Sequence, residues 1–161
     1  MKTSYNSFYA ELEGACARIV SASGDLVEVD MKKTEYVLPG HTVEITTKHG
    51  SSFPFWVGVN GPRIFFIAYV TAEPTEAKNA FQFCFGGAQK VGWEMNYEGI
   101  NSGTSIWATV MTDKTRPLIA GSELTDEGHF WATDIAMMVQ SWVRTCERLN
   151  IKRHELDPAP L

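Results

Sequence analysis

The sequence contains few of the residues that build metal, disulfide or thiol sites. Its three cysteines, Cys16, Cys84 and Cys146, are odd in number and widely spaced, which argues against a disulfide framework and a zinc knuckle. Its four histidines show neither HExxH nor HxH spacing, so the pattern predicts no metal site. We therefore expect no metal and no other cofactor, and we expect a reducing, cytoplasmic location.

Long apolar runs and a basic surplus are also missing. The longest apolar stretches, such as residues 64–70, are far shorter than the roughly 20 residues of a membrane span. The N-terminal stretch has no continuous apolar segment of the kind found in a signal peptide. Lys and Arg number 14 against 19 Asp and Glu, a net charge of −5, whereas nucleic-acid binders usually carry a basic excess. We expect neither membrane insertion nor a nucleic-acid partner.

Sequence motifs of catalysis are absent as well. There is no G-x-S-x-G turn, and the glycine-rich segments 59–63 and 85–92 match neither a P-loop nor a dinucleotide-binding pattern. Glu94 and Glu98 do not form a credible acid–base pair. The sequence predicts no catalytic residue and favours a protein that is not an enzyme.

The amino-acid composition is that of an ordinary globular protein. The chain has 161 residues, of which 44% are hydrophobic and 20% charged. We predict a single α+β domain over residues 1–153. Residues 154–161, which include Pro158 and Pro160, are predicted to form a flexible C-terminal tail.

Helical periodicity is clearest near the two ends of the chain. Apolar residues recur at spacings of three and four over residues 5–20, which predicts an N-terminal helix. Thr125 is a candidate N-cap of a long C-terminal helix, with Asp126 and Glu127 in the first turn. The apolar stripe of this helix comprises Phe130, Trp131, Ile135, Met138, Val139, Trp142, Cys146 and Leu149.

Strand-like patterns occupy most of the remaining chain. An antiparallel meander is predicted over residues 42–70, with a turn at residues 60–62. Residues 75–97 favour a helix that ends near Gly86-Gly87, although alternating phenylalanines at 81, 83 and 85 also fit a strand. Further strands are predicted at 26–30, 35–38, 104–112 and 118–124. A turn is predicted at Pro39-Gly40, and residues 118–124 are predicted to pair with residues 104–112. The prediction is an α+β fold: an antiparallel sheet of about five to seven strands with an N-terminal helix, a middle helix and a long C-terminal helix.

Aromatic residues are numerous for one small core. Phe55 and Trp56 are consecutive in a strand, as are Phe65 and Phe66, so each pair places side chains on both faces of the sheet. One face must then be covered by the N-terminal helix, a second subunit or an extended peptide. We predict that Phe53, Phe55, Trp56 and Phe66 are outward-facing, partner-binding residues.

Three stretches carry a resemblance to a known fold. FPFWVGVNGPRIFFIAYV (53–70), TAEPTEAKNAFQF (71–83) and residues 106–143 resemble the type III secretion chaperone-like fold, in particular its YbjN-like branch. The resemblance implies an N-terminal helix, three strands, a helix, two strands and a long C-terminal helix. It also implies an acidic, cytoplasmic, often dimeric protein that has no catalytic residues and binds extended segments of partner proteins. The strand material at 26–38 and the Gly86-Gly87 pair depart from that pattern.

These observations favour a protein- or peptide-binding module, chaperone-like or adaptor, with a possible homodimer. An alternative is a small-ligand-binding protein or enzyme in which strands curl around the last helix and enclose a hydrophobic cavity. This helix-grip alternative requires residues 79–85 to be a strand. A second alternative is a phage or mobile-element inhibitor that acts by protein contact.

Overall fold

The computed structural model describes residues 4–35, 38–72, 74–84, 91–98 and 103–153. Within these residues the chain forms three helices and nine strands. In chain order they are α1 (Asn6–Ala22), β1 (Leu26–Glu35), β2 (Pro39–Thr47), β3 (Phe55–Asn60), β4 (Arg63–Thr71), α2 (Pro74–Cys84), β5 (Val91–Glu98), β6 (Gly103–Met111), β7 (Ile119–Ala120), β8 (Glu123–Leu124), α3 (Asp126–Arg148) and β9 (Lys152–Arg153).

The main sheet is antiparallel and runs in the order β1-β2-β3-β4-β6-β5, with the short β9 paired to the end of β4. The first four strands are a meander. Helix α2 then connects β4 to β5, and the next strand, β6, lies between β4 and β5 and pairs with both. The predicted α+β class, with its three helices and antiparallel sheet, is confirmed.

One face of the sheet forms the core with the helices. Helix α3 packs against both α1 and α2, and it also contacts β2. Alternate strand residues join the buried cluster because side chains alternate between the two faces of a strand. Those from the central strands include Val43, Ile45, Phe55, Val57, Phe66, Ala68, Ile106 and Ala108.

Helix α3 begins where the sequence predicts. The Thr125 hydroxyl accepts a hydrogen bond from the amide of Gly128 at 3.0 Å, which confirms the N-cap. The predicted stripe is wrong at Phe130, which is 58% exposed, and at Leu149, which is 45% exposed. Phe130 lies roughly 160° around the helix from the buried Ala132, and Leu149 is the C-cap.

The first hairpin corrects the predicted strand boundaries. The strand expected at 26–30 continues to Glu35 as one ten-residue strand, β1, and Pro39-Gly40 opens β2 instead of forming the turn. Of the strand expected at 35–38, Glu35 is the last residue of β1, Leu38 lies in no strand, and residues 36–37 are outside the described residues. Pro39 is tolerated there because the first residue of a strand need not donate to the ladder. The predicted turn after Asn60 is confirmed as a two-residue connection, Gly61-Pro62, with a positive φ of 61° at Gly61.

The segment after β4 is partly as predicted. Residues 74–84 are helical, which confirms the middle helix, but β5 was not predicted. Residues 118–124 form the small β7–β8 hairpin outside the main sheet, so their prediction as a strand partner of 104–112 is wrong. Gly86-Gly87 and the predicted flexible tail at 154–161 lie outside the described residues.

Candidate functional site

The four aromatic residues predicted to face a partner are all buried. Phe55, Trp56 and Phe66 have no exposed surface, and Phe53 is 4% exposed. Phe55 and Phe66 lie in the helix-facing core, with ring centroids 5.7 Å apart. The prediction that these side chains face outward is wrong: Phe53, Phe55 and Phe66 belong to the hydrophobic core, and Trp56 is buried on the other face of the sheet. Their role in partner binding stays a prediction, and a surface for it must be sought elsewhere.

Trp56 is buried on the opposite face of the sheet. Its indole lies over Gly40 and Gly58, which pair across β2 and β3. Its Nε1 donates a hydrogen bond of 2.9 Å to the carbonyl of Thr34 in β1. Because both glycines lack a Cβ, the ring sits close to the backbone, so Trp56 ties three neighbouring strands together.

Aromatic side chains occupy the interior between α3 and the sheet. The Trp142 ring centroid lies 5.4 Å from that of Phe81 and 6.5 Å from that of Phe55. All three residues are fully buried. The helix-grip alternative required a strand at 79–85, whereas residues 79–84 belong to α2. That structural condition is therefore not met.

A cleft opens where the sheet continues beyond the N-terminus of α1. Along the helix-facing side of β1, Val29 and Met31 pack against the core, but Lys33 is exposed and Glu35 is exposed. Helix α1 begins at Asn6, and at this end of the hairpin it contributes Asn6 and Tyr9, with the Tyr9 ring against that of His41. Along β1 the sequence thus changes from apolar to charged near the start of the helix.

The first lobe of this cleft has a volume of about 670 Å³. Its walls come from the N-terminus of α1, the β1–β2 hairpin and the β3–β4 turn. The lining residues are Ser4, Tyr5, Asn6, Tyr9, Lys33, Glu35, Leu38, Pro39, Gly40, His41, Val59, Asn60 and Gly61.

A second lobe of about 540 Å³ lies next to the first, on the other side of the β3–β4 turn. It shares Tyr5 and Gly61 with the first lobe. Its lining residues are Tyr5, Gly61, Pro62, Asp113, Lys114, Pro117, Leu118 and Ile119. We call the two lobes together the end groove, because they follow one end of the sheet.

Two tyrosines fix the shape of the end groove. The Tyr9 hydroxyl accepts a hydrogen bond of 3.0 Å from the amide of Val59, and the Tyr5 hydroxyl accepts one of 2.9 Å from the amide of Gly61. Burial raises the pKa of Tyr9 to about 12, so its hydroxyl stays neutral. The two bonds hold the β3–β4 turn against the start of α1, and Tyr5 forms the boundary between the lobes.

His41 forms part of the wall of the first lobe. Its ring centroid lies 4.1 Å from that of Tyr9, at an interplanar angle of 41°. Burial, and then the charge of Lys33 across the β1–β2 ladder, lowers the pKa of His41. Among the described residues its Nδ1, which is buried, has no hydrogen-bond partner. His41 is therefore a neutral aromatic wall residue near pH 7.

The thiols do not supply an activated nucleophile. Burial raises the pKa of Cys16 to about 12, that of Cys84 to about 11, and that of Cys146 further still. A thiol with a raised pKa carries very little thiolate at neutral pH. Within the described part of the chain, no group of three or more His, Cys, Asp or Glu residues is placed to hold a metal ion.

The residues of the end groove were not identified from the sequence. Tyr5 and Tyr9 fall within the helical periodicity of residues 5–20, and no site is predicted at His41. The available signal was the change from Val29 and Met31 to Lys33 and Glu35 along one strand face. The local patterns predict strands at 26–30 and 35–38 but none at 31–34, so they do not place these four residues on one strand face.

No family model, curated protein or solved structure matches this chain. Of the helices formed by the described residues, none is long and apolar enough to cross a membrane.

Proposed function

We propose that this protein is a non-enzymatic peptide-binding module of the chaperone-like or adaptor kind, and that the end groove is its contact surface. The observation that carries the proposal is the adjacency of two lobes, about 670 and 540 Å³, that share the lining residues Tyr5 and Gly61. A two-lobed groove suits a chain segment better than it suits one compact ligand. The sequence resemblance to the type III secretion chaperone-like fold implies the same class of partner.

The length of the groove matches a short extended peptide. Its lining runs from β1 across β2, β3 and β4 to the loop after β6, which is five neighbouring strands. At a spacing of about 4.8 Å this distance is roughly 19 Å, and an extended chain rises about 3.3 Å per residue. The groove therefore accommodates about six residues.

The lining indicates what kind of segment binds. Tyr5, Leu38, Pro39 and Ile119 supply apolar surface, whereas Lys33, Glu35, Asp113 and Lys114 supply charges of both signs at the two ends. Apolar pockets with a charged rim are typical of protein recognition surfaces. We expect an extended segment with apolar side chains at its centre and charged residues at either end. A cytoplasmic location belongs to the proposal, since the three cysteines are free thiols.

A peptide-display selection tests the proposal. Purified protein is panned against random peptides, and the enriched sequences are synthesised and titrated by fluorescence anisotropy. Leu38→Asp and Lys114→Glu should each weaken binding about tenfold or more, a loss of about 1.4 kcal/mol. The matched controls are Val27→Asp, at a residue 58% exposed outside the groove, and Lys78→Glu on the exposed side of α2, which should leave affinity within about twofold.

Circular dichroism of each variant establishes that the fold is intact before binding is compared. Failure to enrich any peptide would contradict the proposal, and so would enriched peptides whose affinity neither groove variant changes. Native mass spectrometry of protein purified from its own cells gives an independent check. An additional small mass on the chain would favour the small-ligand alternative.

A further inference from the structure

We propose that residues 154–161 of this chain dock in extended form on the face of the main sheet opposite the described helices, over a strip of apolar side chains next to the point where β9 ends. This surface is separate from the end groove, and the inference does not depend on the proposed function. It takes the place of the free tail that Pro158 and Pro160 led us to expect from the sequence.

The apolar strip follows directly from the register of the central strands. Trp56, Ile67 and Trp107 are paired in one row across β3, β4 and β6, and Phe65 lies two residues from Ile67 along β4. We call these four residues the outer strip. None of the four belongs to the buried cluster that the described helices share with the sheet, whereas Phe66, which lies between Phe65 and Ile67, does.

The surface that the outer strip leaves uncovered is aromatic. Phe65 and Trp107 are both half-buried. The Nε1 of Trp107 donates a hydrogen bond of 2.8 Å to the hydroxyl of Ser105, so its polar atom already has a partner and the rest of the indole is apolar. At the other end of the strip the guanidinium of Arg63 lies 5.9 Å from the ring centroid of Phe65. What this face lacks is an apolar cover.

Strand β9 brings the chain to the sheet beside this strip. Arg153 pairs with Val70 on the side of β4 that β3 occupies, because Thr104 of β6 pairs with Val70 on the other side. Two residues further along, the position opposite Ala68 is held by Phe55. A chain that continues past Arg153 therefore has to leave the plane of the sheet.

The helix-facing side offers no way out at this point. Phe53, just before β3, and Ile151, just before β9, are each 4% exposed and belong to the buried cluster. Val70 has no exposed surface on the same face. The direction that remains is onto the opposite face, where the outer strip lies.

The sequence after β9 matches the outer strip in spacing. An extended chain that runs back along β4 rises about 3.3 Å per residue, as the strand itself does. Leu156 then comes level with Ile67, because each is three residues from the pair of Arg153 and Val70. By the same count, Pro158 comes level with Phe65, about 17 Å from that pair.

The character of the segment matches as well. Alternation along an extended chain places Leu156, Pro158 and Pro160 on one side and turns Glu155 and Asp157 to water. Proline is suitable because a segment that lies on a face, and not in the ladder, needs no backbone N–H donors. Extended proline-containing segments are commonly bound by aromatic surfaces. The occupant that fits the exit point, the spacing and the chemistry is therefore residues 154–161.

NMR relaxation of the intact ¹⁵N-labelled chain measures whether the segment is docked. The amides of Leu156 and Asp157 should have order parameters near the value of about 0.85 that is typical of rigid backbone. Values below about 0.6 at both positions would overturn the proposal.

Two variants test where the segment lies. Thr109 is half-buried and pairs with Phe65, so Thr109→Arg should place a long charged side chain in the path of the segment and lower both order parameters. The matched control is Thr46→Arg, at a half-buried threonine on the same face of β2 but outside the outer strip, which should leave them unchanged. Order that persists in Thr109→Arg would mean that the segment docks elsewhere and would refute the proposal.

A change within the segment itself provides a readout from the sheet. Leu156→Asp should shift the indole ¹H–¹⁵N signal of Trp107 and leave that of Trp131, on α3, in place. Circular dichroism checks that each variant is folded. An unmoved Trp107 signal in Leu156→Asp would contradict the contact with the outer strip, even if the segment is ordered.

Discussion

Replacing Gly58 by alanine should destabilise the protein because a methyl group at this position has no room. An ideal Cβ at Gly58 would lie 2.8 Å from Cζ2 and 3.0 Å from Cζ3 of Trp56, and the indole is fully buried. Overpacking of a buried site costs about 1–3 kcal/mol. Displacement of the indole would also remove its hydrogen bond to Thr34, worth about 0.5–1.5 kcal/mol. Alanine recovers about 0.5–1 kcal/mol of strand propensity, so we expect a net loss of about 2 kcal/mol.

A double-mutant cycle identifies the cause of that loss. The colliding atoms belong to the six-membered ring of Trp56, which phenylalanine does not reproduce in the same place. Gly58→Ala should therefore cost at least about 1 kcal/mol less in a Trp56→Phe background than in the unaltered chain. The assay is urea unfolding followed by far-UV circular dichroism, which does not depend on Trp56 fluorescence.

Gly24→Ala is the control for this cycle, because no atom lies within 4 Å of its ideal Cβ. It should change the free energy of unfolding by no more than about 0.5 kcal/mol. Two results would contradict this reasoning: a Gly58→Ala variant as stable as the unaltered chain, or an equal loss of stability with tryptophan and with phenylalanine at position 56. Either would mean that the indole does not occupy the space over Gly40 and Gly58.

Three further predictions concern stability, pH and thiol chemistry. Thr125→Ala should lower the free energy of unfolding in urea by about 1 kcal/mol, whereas Thr125→Asn, which retains a capping oxygen, should lower it much less. The pKa of His41 is lower in the folded state than in the unfolded chain. Its contribution to stability is therefore present above about pH 6.5 and is lost as the pH falls through the pKa of the folded state. The variant His41→Gln should decline less in its free energy of unfolding in urea between about pH 7.5 and 5. Ellman's reagent near pH 8 should react slowly with all three thiols, Cys16, Cys84 and Cys146, in the folded protein and rapidly with all three in urea. Fast labelling without denaturant would contradict their raised pKa values.

Much of the fold followed from local patterns. The last helix has a capping threonine, acidic residues in its first turn and an apolar stripe, and these signals act within a few residues of one another. The meander likewise followed from period-two alternation and the Gly61-Pro62 turn. Strand β5 was missed although Val91, Trp93, Met95 and Tyr97 alternate with smaller or polar residues. The helical spacing of the residues before Gly86-Gly87 favours a helix and competes with that alternation.

The candidate site could not be found in the same way. Whether an aromatic residue is outward or buried depends on what packs against its strand, and alternation alone does not say which face the helices cover. Phe55 and Phe66 were expected at a surface and lie in the core, whereas Phe130 was expected in the core and is exposed. The end groove lies where the start of α1 meets the last residues of β1. These two segments are distant in the sequence, and only the packing of the helix on the sheet brings them together.

The sequence by itself determined the class of fold, the identity of the three helices and the absence of familiar catalytic motifs, because these depend on short-range periodicity, capping and residue type. Only the tertiary structure decided where surface remains available. Tyr5 precedes α1, Tyr9 lies in α1 and His41 lies in β2. They line one groove because the two tyrosine hydroxyls hold the β3–β4 turn to the start of the helix. Burial is a property of the assembled layers, so the surfaces that bind could be located only after helices and sheet were packed together.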